Sequence, residues 1–169
     1  MDLLRILAID PGPTESGFVV ISDNEEIIKC RKWKNHLVHT LMDTSPLTHV
    51  VIEECICRKW AGREVSDSAF EAGRLYQHAL DIVGLPCVDL ITRSKVRWHI
   101  CGARQANDSI IISKLIERKC PVLHDTWTGS RQKLLNAAKD EFFSGFSGDM
   151  WQAYALALTF LDLRGKPDA

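Results

Sequence analysis

Apolar runs separated by turn residues divide the first part of the chain into short strands. Residues 4–10 form a run of buried-type side chains that ends on Asp10, and after a Pro-Gly break residues 18–22 form a second apolar run. Two such runs joined by turn residues predict a β-hairpin, which residues 27–33 extend into a three-stranded meander. Residues 48–54 form a continuous β-branched run, which is typical of a strand covered on both faces.

Helical spacing dominates the second part of the chain. Apolar or small residues recur at helical spacing over residues 66–83, and the run "CVDLIT" that follows predicts a fifth strand. Further helices are predicted over residues 35–43, 107–118, 132–143 and 149–163, with an irregular segment before the third of them. A meander followed by strands that alternate with helices predicts an α/β fold, with a mixed five-stranded sheet and helices on both faces.

The composition is that of an ordinary globular protein. The 169 residues are enough for one domain, residues 1–169, and 46% of them are hydrophobic. The net charge of −1 neither predicts nor excludes a nucleic-acid partner, because acidic residues elsewhere can offset a basic face. The sequence predicts no signal peptide and no membrane span, which needs roughly 20 apolar residues. The six cysteines form no Cys-x-x-Cys pair, which favours free thiols in a reducing cytoplasm over disulfides or zinc.

Three carboxylates stand out by position. Asp10 ends the first strand, Glu53 and its neighbour Glu54 end the fourth, and Asp149 opens the apolar final helix. If the two strands are neighbours in the sheet, their ends lie close together, and a helix packed on the sheet can add Asp149. Clustered carboxylates raise one another's pKa unless a cation is present. The pattern therefore favours a Mg²⁺ site that activates water for phosphodiester cleavage.

Each carboxylate also has an ordinary structural interpretation. Asp10 before Pro-Gly could be an Asx-type turn residue. Glu53 and Glu54 alternate across the strand, so one can face solvent harmlessly while the other points to the opposite face. Asp149 could be a helix N-cap with Gln152 as its capping-box partner.

Several stretches of the chain, in order, resemble RuvC-type Holliday junction resolvases. They are "ILAIDPGPTESGFVVI", "VVIEECI", "DSAFEAGRLYQHAL", "LPCVDLITRSKVRWHICG" and "GDMWQAYALALTFLD". The resemblance implies an RNase H-like fold, a homodimer, and Mg²⁺-dependent resolution of four-way DNA junctions by paired symmetric nicks. The last motif, with Trp151, is similar in style to that of phage-borne members, which implies a host cytoplasm as the location.

The resemblance assigns roles to individual acidic residues. Asp10, Glu53 and Asp149 match the catalytic acids and metal ligands of the family. The family commonly has a further acid one turn after Asp149, and this chain has Gln152 there. Gln152 is then expected to bind metal only as a neutral carbonyl. The cofactor implied is Mg²⁺, with Mn²⁺ as a substitute.

The resemblance also implies where DNA is bound. The family has a basic residue after the fifth strand, near the scissile phosphate, and Arg97 matches it best. Lys95 and Arg104 lie close to it in the sequence. Cations flank an aromatic residue on the segment after Glu53, a pattern suited to stacking an unpaired base at a junction centre. The expected DNA-binding residues are Arg58, Lys59, Trp60, Arg63, Lys95, Arg97 and Arg104.

Other functions remain open from the sequence. An RNase H-like enzyme that acts on RNA–DNA hybrids, flaps or forks has the same acidic residues. A junction-binding protein with weak cleavage is a third hypothesis, with Gln152 as its marker. A sugar-kinase or actin-type nucleotide-binding fold also opens with Asp-x-Gly, but it needs a longer chain and a second phosphate loop. Small residues on the predicted helix 66–83, namely Ala69, Ala72 and Gly73, suit either packing on the sheet or a dimer contact.

Overall fold

The computed structural model describes residues 4–57 and 62–164, which form one mixed five-stranded sheet. The strands are β1 (Arg5–Asp10), β2 (Glu15–Ser22), β3 (Ile27–Lys34), β4 (His49–Glu54) and β5 (Val88–Thr92). Their order in the sheet is β3-β2-β1-β4-β5. The first three strands pair in antiparallel fashion, whereas β4 pairs in parallel with both β1 and β5. The meander and the five-stranded sheet predicted from the sequence are therefore confirmed.

Helices cover both faces of the sheet, as predicted. The described residues contain α1 (Asn35–Thr44), α2 (Arg63–Val83), α3 (Arg93–Cys101), α4 (Asp108–Lys119), α5 (Pro121–Thr126), α6 (Arg131–Glu141) and α7 (Asp149–Leu163). Helices α1 and α2 pack on one face, and α3, α4, α6 and α7 pack on the other.

Strict alternation along the central strands divides the core into two layers. Ile6 and Ala8 of β1 face the α7 side, whereas Leu7 and Ile9 face the α1–α2 side. All four side chains are completely buried, as expected for a strand covered on both faces. The same alternation decides which strand-end carboxylates point toward α7.

The sequence did not predict helix α3, and its prediction of an irregular segment between α4 and α6 is wrong. The basic stretch after β5 is a helix, α3, because Thr92 caps its first turn by accepting a hydrogen bond from the Lys95 backbone N–H. Gly102 ends α3 in the left-handed conformation, with φ at 68°. The segment between α4 and α6 contains the short helix α5, which begins at Pro121, where a missing N–H has no cost.

Helix α7 is the most deeply buried helix of the described chain. Eleven consecutive residues, 150–160, are buried, as its apolar sequence predicts. Trp151 packs against Phe143 and Phe146 at ring-centroid distances of 4.6 and 4.9 Å. The start of α7 lies directly against β2 at Gly17, where a side chain would not fit.

In the part of the chain that the structure describes, no helix has the length and apolar character needed to span a bilayer. The six cysteines, which all lie within that part, are free thiols. Cys30 and Cys120 are buried and Cys57 is exposed.

We predict that Gly17→Ala lowers the free energy of unfolding by about 1–3 kcal/mol, the usual cost of overpacking. A Cβ atom on Gly17 would lie 2.5 Å from the Cβ atom and 2.8 Å from the carbonyl carbon of Asp149. Helix α7 must therefore shift away from the sheet. Urea denaturation measures the change.

Gly62→Ala is the control for that substitution, because among the described residues no atom outside its chain neighbours lies within 4 Å of a Cβ at Gly62, and its φ of −67° suits any residue. Gly62→Ala should lower the free energy of unfolding by less than about 1 kcal/mol. Equal losses in the two variants would contradict close packing at Gly17.

Candidate active site

The parallel pairing of β1 and β4 brings two carboxylates to one edge of the sheet. The last paired residues are Ile9 and Ile52, so Asp10 and Glu53 follow side by side. Both share the face of Ala8 and Val51, which is the face covered by α7. Asp10 is 8% exposed and Glu53 is 7% exposed. Alternation turns only Glu53 toward α7, whereas Glu54 is exposed and borders the same edge of the sheet.

The turn after Asp10 is fixed by a small polar network. The Ser16 hydroxyl donates to the side-chain carbonyl of Asn35 and accepts from the backbone N–H of Gly12. The Asn35 amide in turn donates to the carbonyl oxygen of Gly12 at 3.1 Å. Because this network holds the turn from its far side, the Asp10 carboxylate is left facing the edge of the sheet.

Arg93 contacts both carboxylates. It directly follows β5 and is the first residue of α3, so its guanidinium reaches back over the strand ends. Its Nε lies 3.2 Å from a carboxylate oxygen of Glu53, and its Nη2 lies 3.6 Å from a carboxylate oxygen of Asp10. Arg93 is thus the counter-ion that holds this carboxylate pair.

One guanidinium does not neutralise the pair. The pKa of Asp10 is raised to about 8, mainly by burial and also by the charges of Glu53 and Asp149, because Arg93 offsets these effects only in part. Burial also raises the pKa of Glu53, again against the opposing effect of Arg93. Two buried carboxylates whose charged forms are disfavoured are a setting in which an added cation binds well.

Asp149 joins this edge from α7. Its backbone lies against Gly17, and Gly17 is the partner of Asp10 in the β1–β2 ladder. Its carboxylate accepts from the Lys32 ammonium at 2.6 Å. Lys32 is the partner of Gly17 on β3, so one row across the sheet connects Lys32, Gly17 and Asp10.

The capping-box interpretation of Asp149 is wrong. The N-cap of α7 is Gly148, with φ at 40°, and no side chain caps the helix. Asp149 is therefore the first helical residue, and its carboxylate is free to bind Lys32. Gln152 lies one turn further along the same helix and is 5% exposed.

The carboxylates line two adjoining depressions. The larger, of about 650 Å³, is lined by Asp10, Glu53 and Arg93, and also by Arg97 and Arg104. The smaller, of about 350 Å³, adjoins it at Asp10 and Arg93 and includes Lys32 and Asp149. Together they form an open cleft with acidic residues at its base and cations on its walls.

The predicted DNA-binding residues do not all lie at this cleft. Arg97 and Arg104 line it, and Arg97 forms an ion pair with Asp108 at 3.3 Å. Lys95 lines a separate depression with His49, Asp89 and Arg164.

The remaining predicted DNA contacts lie on the segment after Glu53. Arg63, at the start of α2, has a side chain that is 93% exposed and lies 3.6 Å from the carboxylate of Asp67. Arg58, Lys59 and Trp60 lie outside the described residues.

The donor chemistry fits a divalent cation, although cations of the chain now contact these carboxylates. Mg²⁺ takes one or two carboxylates and keeps several waters, which Asp10 and Glu53 can supply at this open cleft. Asp149 offers a further oxygen from α7, whereas Gln152 lines neither depression. Across residues 4–57 and 62–164, however, no three acidic, histidine or cysteine side chains are grouped to hold a metal ion. Arg93 and Lys32 contact the carboxylates instead.

Sequence reasoning missed Arg93 and Lys32. The signal for Arg93 was its position directly after β5, since the end of a parallel strand meets the ends of its neighbours. The signal for Lys32 was its period-two spacing from the buried Cys30, which faces α7. Both signals depend on knowing the strand order.

Comparison with solved structures identifies the fold. RuvC of Thermus thermophilus in complex with a Holliday junction substrate superposes with a TM-score of 0.60 at 15% identity, covering 92% of each chain. A second Thermus thermophilus RuvC structure superposes with a TM-score of 0.60 at 15% identity, covering 95% of each chain. No protein-family model matches the chain, and no curated protein sequence does. The chain therefore has the RNase H-like α/β fold seen in RuvC.

Proposed function

We propose that this protein is a divalent-metal-dependent endonuclease that resolves four-way DNA junctions by paired nicks. The observation that carries the proposal is the convergence of Asp10, Glu53 and Asp149 on one open edge of a RuvC-like sheet. The sequence motifs around these residues support it independently. Membership of a phage-type group, suggested by Trp151, and a host cytoplasmic location stay predictions.

The residues of the cleft have separable roles in this proposal. Asp10, Glu53 and Asp149 hold the cation, whereas a role for Gln152 as a neutral carbonyl ligand stays a prediction. Mg²⁺ or Mn²⁺ would supply an activated water and stabilise charge on the phosphate oxygens.

Cations on the cleft wall would position the DNA. Arg97 and Arg104, which line the larger depression, would bind backbone phosphates, because a planar guanidinium matches phosphate oxygens in bidentate fashion.

A junction-binding protein with weak cleavage is the second candidate. Gln152 replaces an expected acid, and Arg93 and Lys32 already contact the carboxylates. Both features reduce the net negative charge that attracts a metal. Tight junction binding without cutting in Mg²⁺ or Mn²⁺ would favour this candidate over the first.

A homodimer belongs to the proposal because two symmetric nicks need two related sites. The small residues of α2 serve two different surfaces: Ala72 packs on the sheet, whereas Gly73 faces open space. Phe70 lies on the exposed side of the same helix and is 70% exposed. An exposed aromatic next to a small residue is suited to close packing of a second helix.

We predict that Asp10→Asn reduces junction cleavage at least about a hundredfold while leaving junction binding and the fold intact. The substitution keeps the size of the side chain and removes one carboxylate. Asp125→Asn is the matched control, because Asp125 has a side chain that is 77% exposed on α5 and lines neither depression. This variant should cleave the junction normally.

The measurement is cleavage of an end-labelled four-way junction, beside a linear duplex and an RNA–DNA hybrid, with and without Mg²⁺. Paired nicks in opposing arms of the junction alone would support the proposal. Preference for the hybrid would instead favour the RNase H-like alternative, and full activity of Asp10→Asn would remove the catalytic assignment.

We predict that Arg104→Ala weakens junction binding and lowers the slope of log K against log[salt] by about 1, because one phosphate contact is lost. Lys95→Ala should change neither quantity, since Lys95 lines a different depression. Fluorescence anisotropy over a salt series measures both variants. A larger effect of Lys95→Ala would place the DNA on the other surface.

We predict that Phe70→Glu converts the dimer to a monomer, because a charge at the centre of a helix–helix contact is buried without a partner. Val122→Glu is the control, since Val122 is 75% exposed on a different helix, α5. Light scattering after size-exclusion chromatography gives the mass of each variant. A monomeric unsubstituted protein, or a dimeric Phe70→Glu variant, would reject α2 as the interface.

A further inference from the structure

Arg93 makes two ionic contacts but leaves one donor unsatisfied. Its guanidinium lies between Asp10 and Glu53, 3.6 Å and 3.2 Å from their carboxylate oxygens. Its buried Nε atom nevertheless has no well-aligned hydrogen bond among the described residues, although a Glu53 oxygen lies 3.2 Å away. A buried donor without a partner carries a desolvation cost that it would lose by turning toward water.

A metal ion and this guanidinium compete for the same carboxylates. An ion held by both Asp10 and Glu53 would have to share their carboxylates with the Arg93 guanidinium, which lies only 3.6 Å and 3.2 Å from their oxygens. Two cations at that separation repel each other strongly in a partly buried site. Binding of the ion therefore requires that Arg93 leave.

The open cleft leaves space for the Arg93 side chain to rotate away from the carboxylates. Its side chain is 39% exposed, and it borders the cleft of about 650 Å³ that Arg97 and Arg104 also line. Its backbone is held at the first turn of α3 by the Thr92 cap, so rotation of the side chain alone moves the charge. Turned outward, the guanidinium joins the two wall arginines in the path proposed for DNA phosphates.

We propose that Arg93 is a resident counter-ion that a divalent cation must displace, so that this residue sets the metal affinity of the site. The proposal deepens the metal-dependent nuclease function and rests on it. In the metal-free protein Arg93 keeps the carboxylate pair together. In the metal-bound protein it is released toward the phosphate backbone, which couples metal binding to DNA binding.

The test is the dissociation constant for Mn²⁺, measured by electron paramagnetic resonance on the full chain without DNA. Arg93→Gln should bind Mn²⁺ roughly tenfold more tightly than the unsubstituted protein, because a competing positive charge is gone. Arg104→Gln removes the same charge from the same cleft without touching Asp10 or Glu53, and its affinity should not change. Equal affinities in Arg93→Gln and the unsubstituted protein would overturn the proposal.

A second measurement covers the case in which Arg93→Gln folds poorly. In EDTA its thermal midpoint should fall, because the carboxylate pair has lost its counter-ion. Mg²⁺ should then raise that midpoint by more than it raises the midpoint of the unsubstituted protein, because tighter binding to the folded state stabilises it more. An equal Mg²⁺-dependent shift in both proteins would also overturn the proposal.

Asp10→Asn separates this proposal from the proposed function. Loss of Mn²⁺ binding in Asp10→Asn, combined with unchanged binding in Arg93→Gln, would reject only the counter-ion role. Unchanged binding in Asp10→Asn would instead reject Asp10 as a metal ligand, and with it the site of the proposed nuclease.

Discussion

Two buried carboxylates at adjacent strand ends are the constraint around which this edge of the molecule is built. The parallel register of β1 and β4 places Asp10 next to Glu53, and alternation turns both toward α7. Charges removed from water cost several kcal/mol each unless they are compensated. Arg93 from the start of α3 provides part of that compensation, and a bound cation in the proposed function provides the rest.

Much of the fold could be predicted because its signals are local. Alternation and β-branched runs mark the strands, and helical spacing marks α2, α4, α6 and α7. Side chains alternate between the two faces of a strand, so the sequence alone predicts that Glu53 and Glu54 point to opposite faces. The two helices that the sequence did not predict, α3 and α5, are short. Their local signals are the Thr92 cap and Pro121 at the first helical position rather than a long apolar stripe.

The surroundings of the carboxylates could not be predicted, because they depend on strand order. Arg97 was the expected basic residue, yet Arg93 contacts Asp10 and Glu53 while Arg97 pairs with Asp108. Choosing between two arginines one helical turn apart requires knowing that α3 begins at once after β5. The approach of Asp149 likewise depends on Gly17, whose missing side chain admits α7.

Two residues near the carboxylates, Gln152 and Arg93, both reduce the negative charge of the site. Gln152 stands where the resembled family commonly has an acid, and Arg93 adds a positive charge at the carboxylate pair. Compared with an acid at position 152 and a neutral residue at position 93, the metal-free protein carries less negative charge near Asp10, Glu53 and Asp149. A cleft that carries less negative charge repels DNA phosphates less, but it also attracts a divalent cation less strongly. If Arg93 turns outward when the cation binds, its positive charge no longer opposes the cation. The same side chain then adds a contact to a DNA phosphate. Metal and junction then favour each other's binding, as thermodynamic linkage requires.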